Sequence, residues 1–336
     1  MSTRLSDYDY PLPEDLIAKR PLPQRDKSRM MVLHRDSETI EHRQFRDLKA
    51  FLREGDLLVL NNTRVLAARR FSDDHAVEFL FLEKIGPARW KCLIKPGRKM
   101  RIGATSKIDN VPLSVEEVLA DGERVVKLDQ DVDLYAHGSM PLPPYMSRES
   151  DRADDERYQT VFAQKPGALA APTAGLHFTP QILSGIPHAL VTLHVGPGTF
   201  RPVHSENITE HRMHPESFSI SEDAAAKIDN AKRIVAAGTT TVRALESVAY
   251  KDRPLKAVDL PRPKIAATKG ETSLFIFPPF EFRVIDVLLT NFHLPRSTLL
   301  MLVSAFAGRE FLLRAYAEAI REGYRFYSYG DCMLIL

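Results

Sequence analysis

Two hydropathy regimes divide the chain. Between Arg70 and Ala136 the apolar residues come in short β-prone runs: VEFLFLEK, RWKCLIKPG, LSVEEVLA and ERVVKLD. Gly, Pro, Asp or Asn separates each run from the next, and no helical period crosses them. That pattern predicts a small antiparallel barrel or sandwich. On either side, apolar strands alternate with helical stretches. Met30 to Leu33, Asp56 to Leu60, Leu190 to His194, Ile234 to Ala237 and Asp286 to Phe292 read as strands, most of them buried on both faces. Pro13-Glu14-Asp15 opens a short helical turn. IEHRQFRDLKAFLREGD reads as a hairpin return into a helix ended by Gly55. Thr179-Pro180 reads as an N-cap with a first-turn proline. Thr239 to Tyr250, Ser297 to Phe306 and Arg309 to Arg321 read as helices, and YRFYSYGDCMLIL as a last strand. The expected fold is α/β in two domains. Residues 1–68 and 145–336 form a larger, discontinuous α/β catalytic domain, and residues 69–144 form an inserted small antiparallel β-barrel. The proline-rich MPLPPYM segment marks one edge of the insert.

Bulk properties narrow this picture only slightly. A length of 336 residues suits two domains at ~150 residues each. A formal charge of +2 neither demands nor excludes a nucleic-acid partner, because a local patch would suffice. The opening MSTRLSDYDY has no secretory character. The longest apolar run, Leu299 to Ala307, is interrupted by Ser304 and is too short to span a bilayer. Cys92 and Cys332 alone make neither a disulfide framework nor a CxxC knuckle. A cytoplasmic protein with no membrane partner is expected.

Candidate chemistry concentrates between Ala170 and Ser217, where Gly, Thr and His replace the Leu, Ile and Val of an ordinary core. In APTAGLHFT, Gly175 permits close backbone approach, N–H groups beyond it suit an anion, and His177 stands at the mouth with a pKa suited to proton transfer. A capping turn with a carbonyl-bonded histidine accounts for the same string. VTLHVGPGTFRPV places His194 after a buried strand, with Gly196 and Gly198 in the turn; a tight structural loop is the alternative. His211 and His214 have HxxH spacing with Glu210 and Glu216 beside them, which suits zinc or iron. Residues three apart align only on a helix, however, and Pro215 follows at once. AAGTTTVRALES is a strand, a turn and a helix whose threonines and first amides could grip a carboxylate or ribose. Arg243 and Glu246 in it could equally be an intrahelical ion pair. TNFHLPRS brings Asn291, His293 and Arg296 to a strand-to-helix loop. NNTRV, after the strand at Asp56, is a polar site or a turn network.

Taken together, these strings follow one pattern. GDLLVLNNTRVLAAR, MPLPPYM, ERYQTVFAQKPGALAAPTAGLHFT, VTLHVGPGTFRPV, HRMHPE, GTTTVRALES, TNFHLPRSTLLMLVSAFAGRE and YRFYSYGDCMLI resemble the S-adenosylmethionine:tRNA ribosyltransferase-isomerases of queuosine biosynthesis. The resemblance runs from about Tyr8 to the C-terminus and is loose only in the β-rich insert. It implies an α/β domain with an inserted barrel. It also implies transfer and isomerisation of the ribosyl moiety of S-adenosylmethionine onto 7-aminomethyl-7-deazaguanine at the tRNA wobble position. The products would be epoxyqueuosine-tRNA, adenine and methionine. No cofactor or metal beyond S-adenosylmethionine as co-substrate is implied, and a monomer is expected. With that chemistry, His177, His194 and Glu216 become acid/base candidates. Thr173, Gly175, Gly196, Thr239, Thr240, Arg243, Asn291 and His293 become substrate-binding candidates. Arg64, Arg69, Lys95 and Arg98 become candidate tRNA phosphate contacts, with Arg70 and the rest of KPGRKMR beside them.

Some positions depart from the pattern. Pro279 stands where glycine is usual, KGETSLFIF lacks the acidic residue common just before that strand, and LSGIPHAL is short, so no role is carried onto Ser273-Leu274. Two other readings compete. A metal-dependent hydrolase built on His211 and His214 would hold stoichiometric metal. A non-catalytic RNA-binding module would bind tRNA without releasing adenine.

Overall fold

The computed structural model describes residues 3–196, 198, 203, 205–250 and 262–336. They form two compact units: Met1–Arg64, Pro144–Arg148 and Gln159–Leu336 in one, Val65–Pro143 and Glu149–Tyr158 in the other.

The first unit is built on a nine-stranded mixed sheet. Its order is Thr268–Thr272, Glu216–Ile220, His188–Leu193, Asp56–Asn61, Arg233–Ala237, Val287–Asn291, Cys332–Ile335, Arg29–His34 and Thr39–Gln44. Four neighbouring strands, from His188–Leu193 to Val287–Asn291, run parallel. Asp56–Asn61 lies between His188–Leu193 on one side and Arg233–Ala237 on the other, so the chain reverses its direction of travel across the sheet there. In open α/β sheets such a switch point leaves a crevice at the carboxyl ends of the strands.

Burial on both faces explains the continuous apolar runs. Leu57 and Val59 pack into the core on one face, with Ile234, Ala236 and Leu288. Leu58 and Leu60 pack into the core on the other, with Val235, Ala237 and Leu289. The first core is covered by helices Glu222–Asn230, Thr239–Tyr250, Thr298–Ala307 and Arg309–Arg321. Phe45, Leu48, Phe178, Leu183 and Ile186 cover the second. At the amino ends of the strands, Arg233 grips buried Asp56 through Nε–Oδ1 at 2.9 Å and Nη2–Oδ2 at 2.7 Å.

Helix caps form where their residues predicted. Thr179 accepts from Ile182 N and Ser297 from Leu300 N. Two elements differ from expectation. Phe45–Phe51 is a 3-10 helix, capped by Gln44 and Asp47. The last strand contains only Cys332–Ile335. Before it, Tyr327 takes φ 71°, and Asp331 accepts the backbone N–H groups of Arg29 and Arg325 at 2.8 Å each. That turn withdraws YRFYSYGD from the ladder.

The second unit contains a six-stranded antiparallel sheet ordered Arg69–Phe71, Glu78–Gly86, Arg89–Lys95, Arg124–Leu128, Val111–Val118, Thr105–Ile108. It curls around a core that includes Phe79, Phe81, Trp90, Leu113 and Val126. Its two edges approach each other: Asp73 N donates to Lys107 O at 3.0 Å, and Arg70 pairs with Asp109. The ladder itself stays open, so the expected barrel is a half-barrel.

Candidate functional site

The carboxyl ends of the parallel strands carry a continuous polar network. Asn61, the last residue of the central strand, is its hub. Its Nδ2 donates to Leu193 O at 2.9 Å and to Thr240 Oγ1 at 3.1 Å. Its Oδ1 accepts from Leu193 N at 3.0 Å and Thr63 N at 3.1 Å. One amide thereby ties three chain segments together. Asn62 extends the network, accepting from Thr192 Oγ1 at 2.7 Å.

Helix Thr239–Tyr250 begins over the central strand's end. Gly238 turns the chain at φ 91°, and its N–H donates to Leu289 O at 2.8 Å. Glycine brings no side-chain cap. The N–H groups of Thr239 and Thr240 lack intrahelical acceptors, as at every helix start, and carry the positive end of the helix dipole. Thr241 instead turns its hydroxyl back to Ala237 O at 2.7 Å.

Arg243 and Glu216 form a buried pair, Nη1 to Oε2, each about 5% exposed or less. Glu216 Oε1 also accepts from Gly196 N at 2.9 Å, and Arg243 Nε donates to Leu274 O at 3.1 Å. Arg243 Nη2 is buried and has no acceptor among the described residues. The intrahelical alternative is not what forms. Glu246 accepts from the backbone of Arg283 and Val284 at 3.0 Å and of Ile285 at 3.2 Å, while burial raises its pKa to about 7.

The histidines part company. His194 is half-buried, its Nδ1 lies 2.7 Å from Thr63 Oγ1, and burial lowers its pKa. His177 is not at a mouth but inside, 3% exposed. Its Nε2 meets Asn291 Oδ1 at 3.2 Å and its Nδ1 meets Ser28 Oγ at 2.9 Å. Asn291 Nδ2 donates to Tyr327 O at 2.9 Å, which orients Oδ1 toward the ring. Nε2 therefore carries the ring proton, and Nδ1 accepts from Ser28 Oγ, whose other acceptor, Arg25 O, is farther away at 3.3 Å. Burial drives the His177 pKa down to about 4. His293 is likewise interior: Nε2 meets Thr290 Oγ1 at 2.8 Å, and burial lowers its pKa to about 3.

Gly175 also differs from expectation. A Cβ there would lie 2.8 Å from Thr160 Cγ2 and from Phe162 Cζ, so its close approach serves packing. Its N–H donates to Pro172 O at 2.8 Å within the 3-10 turn Thr173–His177 that holds Thr173. His211 and His214 lie in irregular chain, where HxxH spacing brings no alignment, and His211 packs edge-on against Phe275. Among the described residues no group of three or more His, Cys, Asp and Glu is placed to hold a metal. Pro197 and residues 199–202 of the glycine-rich string lie outside the described residues.

The candidate phosphate contacts divide too. Arg64 is exposed in the first unit. In the second, Lys95 and Arg98 are exposed, whereas Arg69 pairs with Glu78 at 2.9 Å and donates to Leu142 O at 3.0 Å. No helix among the described residues is long and apolar enough to cross a membrane.

The geometry thus brings together Gly196, Glu216, Arg243, His194 and Thr240, and a second group of His177 and Asn291. Asn61, Thr63 and Ser28 join them without having been singled out; only the polar NNTRV string after a buried strand signalled the first two.

Comparison with known proteins bears on this site. The family model described as queuosine biosynthesis protein matches residues 5–335. The chain is 46% identical over 351 residues to the S-adenosylmethionine:tRNA ribosyltransferase-isomerase of Thermotoga petrophila, covering 99% of this chain and 100% of that one. It is 48% identical over 353 residues to the protein of the same name from Carboxydothermus hydrogenoformans, again covering 99% and 100%. The crystal structure of an S-adenosylmethionine tRNA ribosyltransferase from Thermotoga maritima matches with a TM-score of 0.55 and 39% identity, covering 98% of this chain and 100% of that one.

Proposed function

The chain belongs to the queuosine biosynthesis protein family, and from that premise we propose that it is a ribosyltransferase-isomerase that uses S-adenosylmethionine and tRNA. In finer terms, it transfers and isomerises the ribosyl moiety of S-adenosylmethionine onto the 7-aminomethyl-7-deazaguanine base at the wobble position. Epoxyqueuosine-tRNA, adenine and methionine are the products. The observation that carries this reading is the polar network at the switch point. It offers a half-buried imidazole, a helix start preceded by glycine and a buried arginine whose Nη2 has no acceptor among the described residues.

The chemistry maps onto those groups. The sulfonium acidifies the 5′ hydrogens, so a modest neutral base suffices to remove one. His194 is neutral at working pH because burial disfavours its charged form. The methionyl carboxylate suits the first amides of Thr239–Tyr250 or Arg243 Nη2. Glu216, already bonded to Arg243 and Gly196 N, shapes the glycine turn rather than moving protons. The wobble base must leave its stack to be reached, and Arg64, Lys95 and Arg98 remain candidates for phosphate contacts. As drawn, the reaction needs no metal or redox cofactor, and a cytoplasmic monomer would carry it out.

The decisive assay mixes the protein with S-adenosylmethionine and tRNA bearing the aminomethyl-deazaguanine base. Adenine release should depend on that base. Release that is absent, or equal with unmodified tRNA, would overturn the reading.

A further inference from the structure

Three contacts fix the His194 ring. The Thr63 side chain is fully buried, and its Oγ1 lies 2.7 Å from Nδ1 and 3.5 Å from Lys165 O. Gly167 lies against the ring: a Cβ there would stand 2.8 Å from Cε1 and Nδ1 and 3.0 Å from Cγ. Its φ of 149° also disfavours any side chain. The His194 backbone N–H is held by Ser217 O at 2.9 Å. Nε2 has no hydrogen-bond partner among the described residues.

We propose that Thr63 and Gly167 are positioning residues, holding His194 so that Nε2 is the atom that exchanges a proton with substrate. This rests on the proposed reaction. A hydroxyl suits the task better than a carbonyl or carboxylate, because it can reverse its role. While Nε2 holds a proton and the ring is neutral, Thr63 donates to Nδ1. When Nε2 offers a lone pair, Nδ1–H donates to Thr63 Oγ1, whose own hydrogen turns to Lys165 O. In the imidazolium the same arrangement serves, with Nε2–H free to deliver the proton. A carbonyl would lock one tautomer; a carboxylate would hold the ring charged. Around the ring, Lys165 presents its carbonyl, while Glu216 and Arg243, at neighbouring Gly196, close on each other. Burial is the sole cause lowering the His194 pKa.

Thr63→Val removes the hydroxyl and keeps the shape; Thr63→Ser keeps the hydroxyl. Thr63→Val should lower kcat about tenfold or more, with KM for S-adenosylmethionine within about twofold, because misorientation by even ~1 Å is costly. Thr63→Ser should recover most of that loss. The acid limb of the pH–rate profile should move to lower pH in Thr63→Val, since the charge-assisted bond to the imidazolium is the stronger one lost. Gly167→Ala should lower kcat and also lower the melting temperature, because the added Cβ is strained at that φ and crowds the ring. Nitrogen-detected NMR of ring-labelled His194 needs no substrate and separates this proposal from the proposed function. In the wild-type protein the two nitrogens should titrate unequally, with a pKa below that of free imidazole. Titration like free imidazole, wild-type kcat in Thr63→Val, or Thr63→Ser as impaired as Thr63→Val would each overturn the proposal.

Discussion

Removing either partner of the Arg243–Glu216 pair should destabilise the first unit severely, and removing both should restore much of the loss. The two side chains are 4% and 5% exposed and join strand Glu216–Ile220 to helix Thr239–Tyr250. In Arg243→Met the Glu216 carboxylate loses its guanidinium partner and keeps Gly196 N as a donor; in Glu216→Leu the guanidinium loses its carboxylate and keeps Leu274 O. A buried charge deprived of its partner costs roughly 3–5 kcal/mol, whereas replacing both partners with apolar residues is often close to neutral. At about 2–4 °C per kcal/mol, each single variant should melt roughly 10 °C lower. The double variant Arg243→Met/Glu216→Leu should melt above either single one, with a coupling of about 2–3 kcal/mol by urea titration. Adenine release should stay low in the double variant, because Arg243 Nη2 and the acceptor that holds Gly196 N are both gone. Strictly additive losses would refute the reasoning, as would full turnover in the double variant.

His194→Ala should lower turnover by about 10²–10⁴ with little loss of stability. His177→Ala should chiefly destabilise, since it strands Asn291 Oδ1 and leaves Ser28 Oγ only Arg25 O at 3.3 Å, at roughly 1–3 kcal/mol for a stranded buried polar group; steady-state kinetics and melting curves on both variants check the contrast. Burial holds His177 and His293 at pKa values of about 4 and about 3, below the ordinary histidine value of 6.5. Their contribution is therefore complete above about pH 6.5 and falls as pH drops toward 4, by roughly 1.4 kcal/mol per unit for each histidine. Urea titrations of His293→Gln should show a shallower acid slope than wild type. If Lys95 and Arg98 meet tRNA phosphates, Lys95→Gln/Arg98→Gln should reduce the slope of log affinity against log salt by about 1.5, a difference readable by filter binding.

The sheet was legible where burial on both faces writes itself as an uninterrupted apolar run. Asp56 to Leu60, Ile234 to Ala237 and Asp286 to Phe292 fall within about a residue of their observed strands. The helix at Thr239 was legible from the glycine turn before it, that at Arg309 from its amphipathic period, and that from Thr298 because Ser297 caps it. Tyr324 to Asp331 misled because aromatic residues have high strand propensity wherever they are buried. Here the aromatics pack on one another: Phe326 lies 4.9 Å from Phe292, and Tyr327 lies 4.7 Å from Tyr145. Arg243 misled through proximity. A partner three residues along the helix was visible in the sequence, while the real one is 27 residues away across the sheet.

The same non-locality explains why one histidine could not be chosen over another from the string alone. His177, His194 and His293 all follow strand or turn signals, and apart from Thr290 beside His293 little within a few residues distinguishes them. The difference lies in partners contributed from elsewhere. Ser28 and Asn291, 149 and 114 positions away, occupy both nitrogens of His177. Thr290 and the tyrosine cluster enclose His293, whose backbone N–H and C=O are bonded to Tyr316 and Tyr10. His194 has Thr63 on Nδ1 and no described partner on Nε2. A ring with both nitrogens occupied must break a buried hydrogen bond before it can move a proton, at a cost of ~1–3 kcal/mol. A half-buried ring with one nitrogen open need not, whereas His293, bonded through Nε2, is shut off by its burial. The position of Asp56–Asn61 between strands that follow it in the chain creates this asymmetry. It carries Asn61 and Thr63 to the crevice, where they order Leu193 and His194, and leaves the other two histidines to the core.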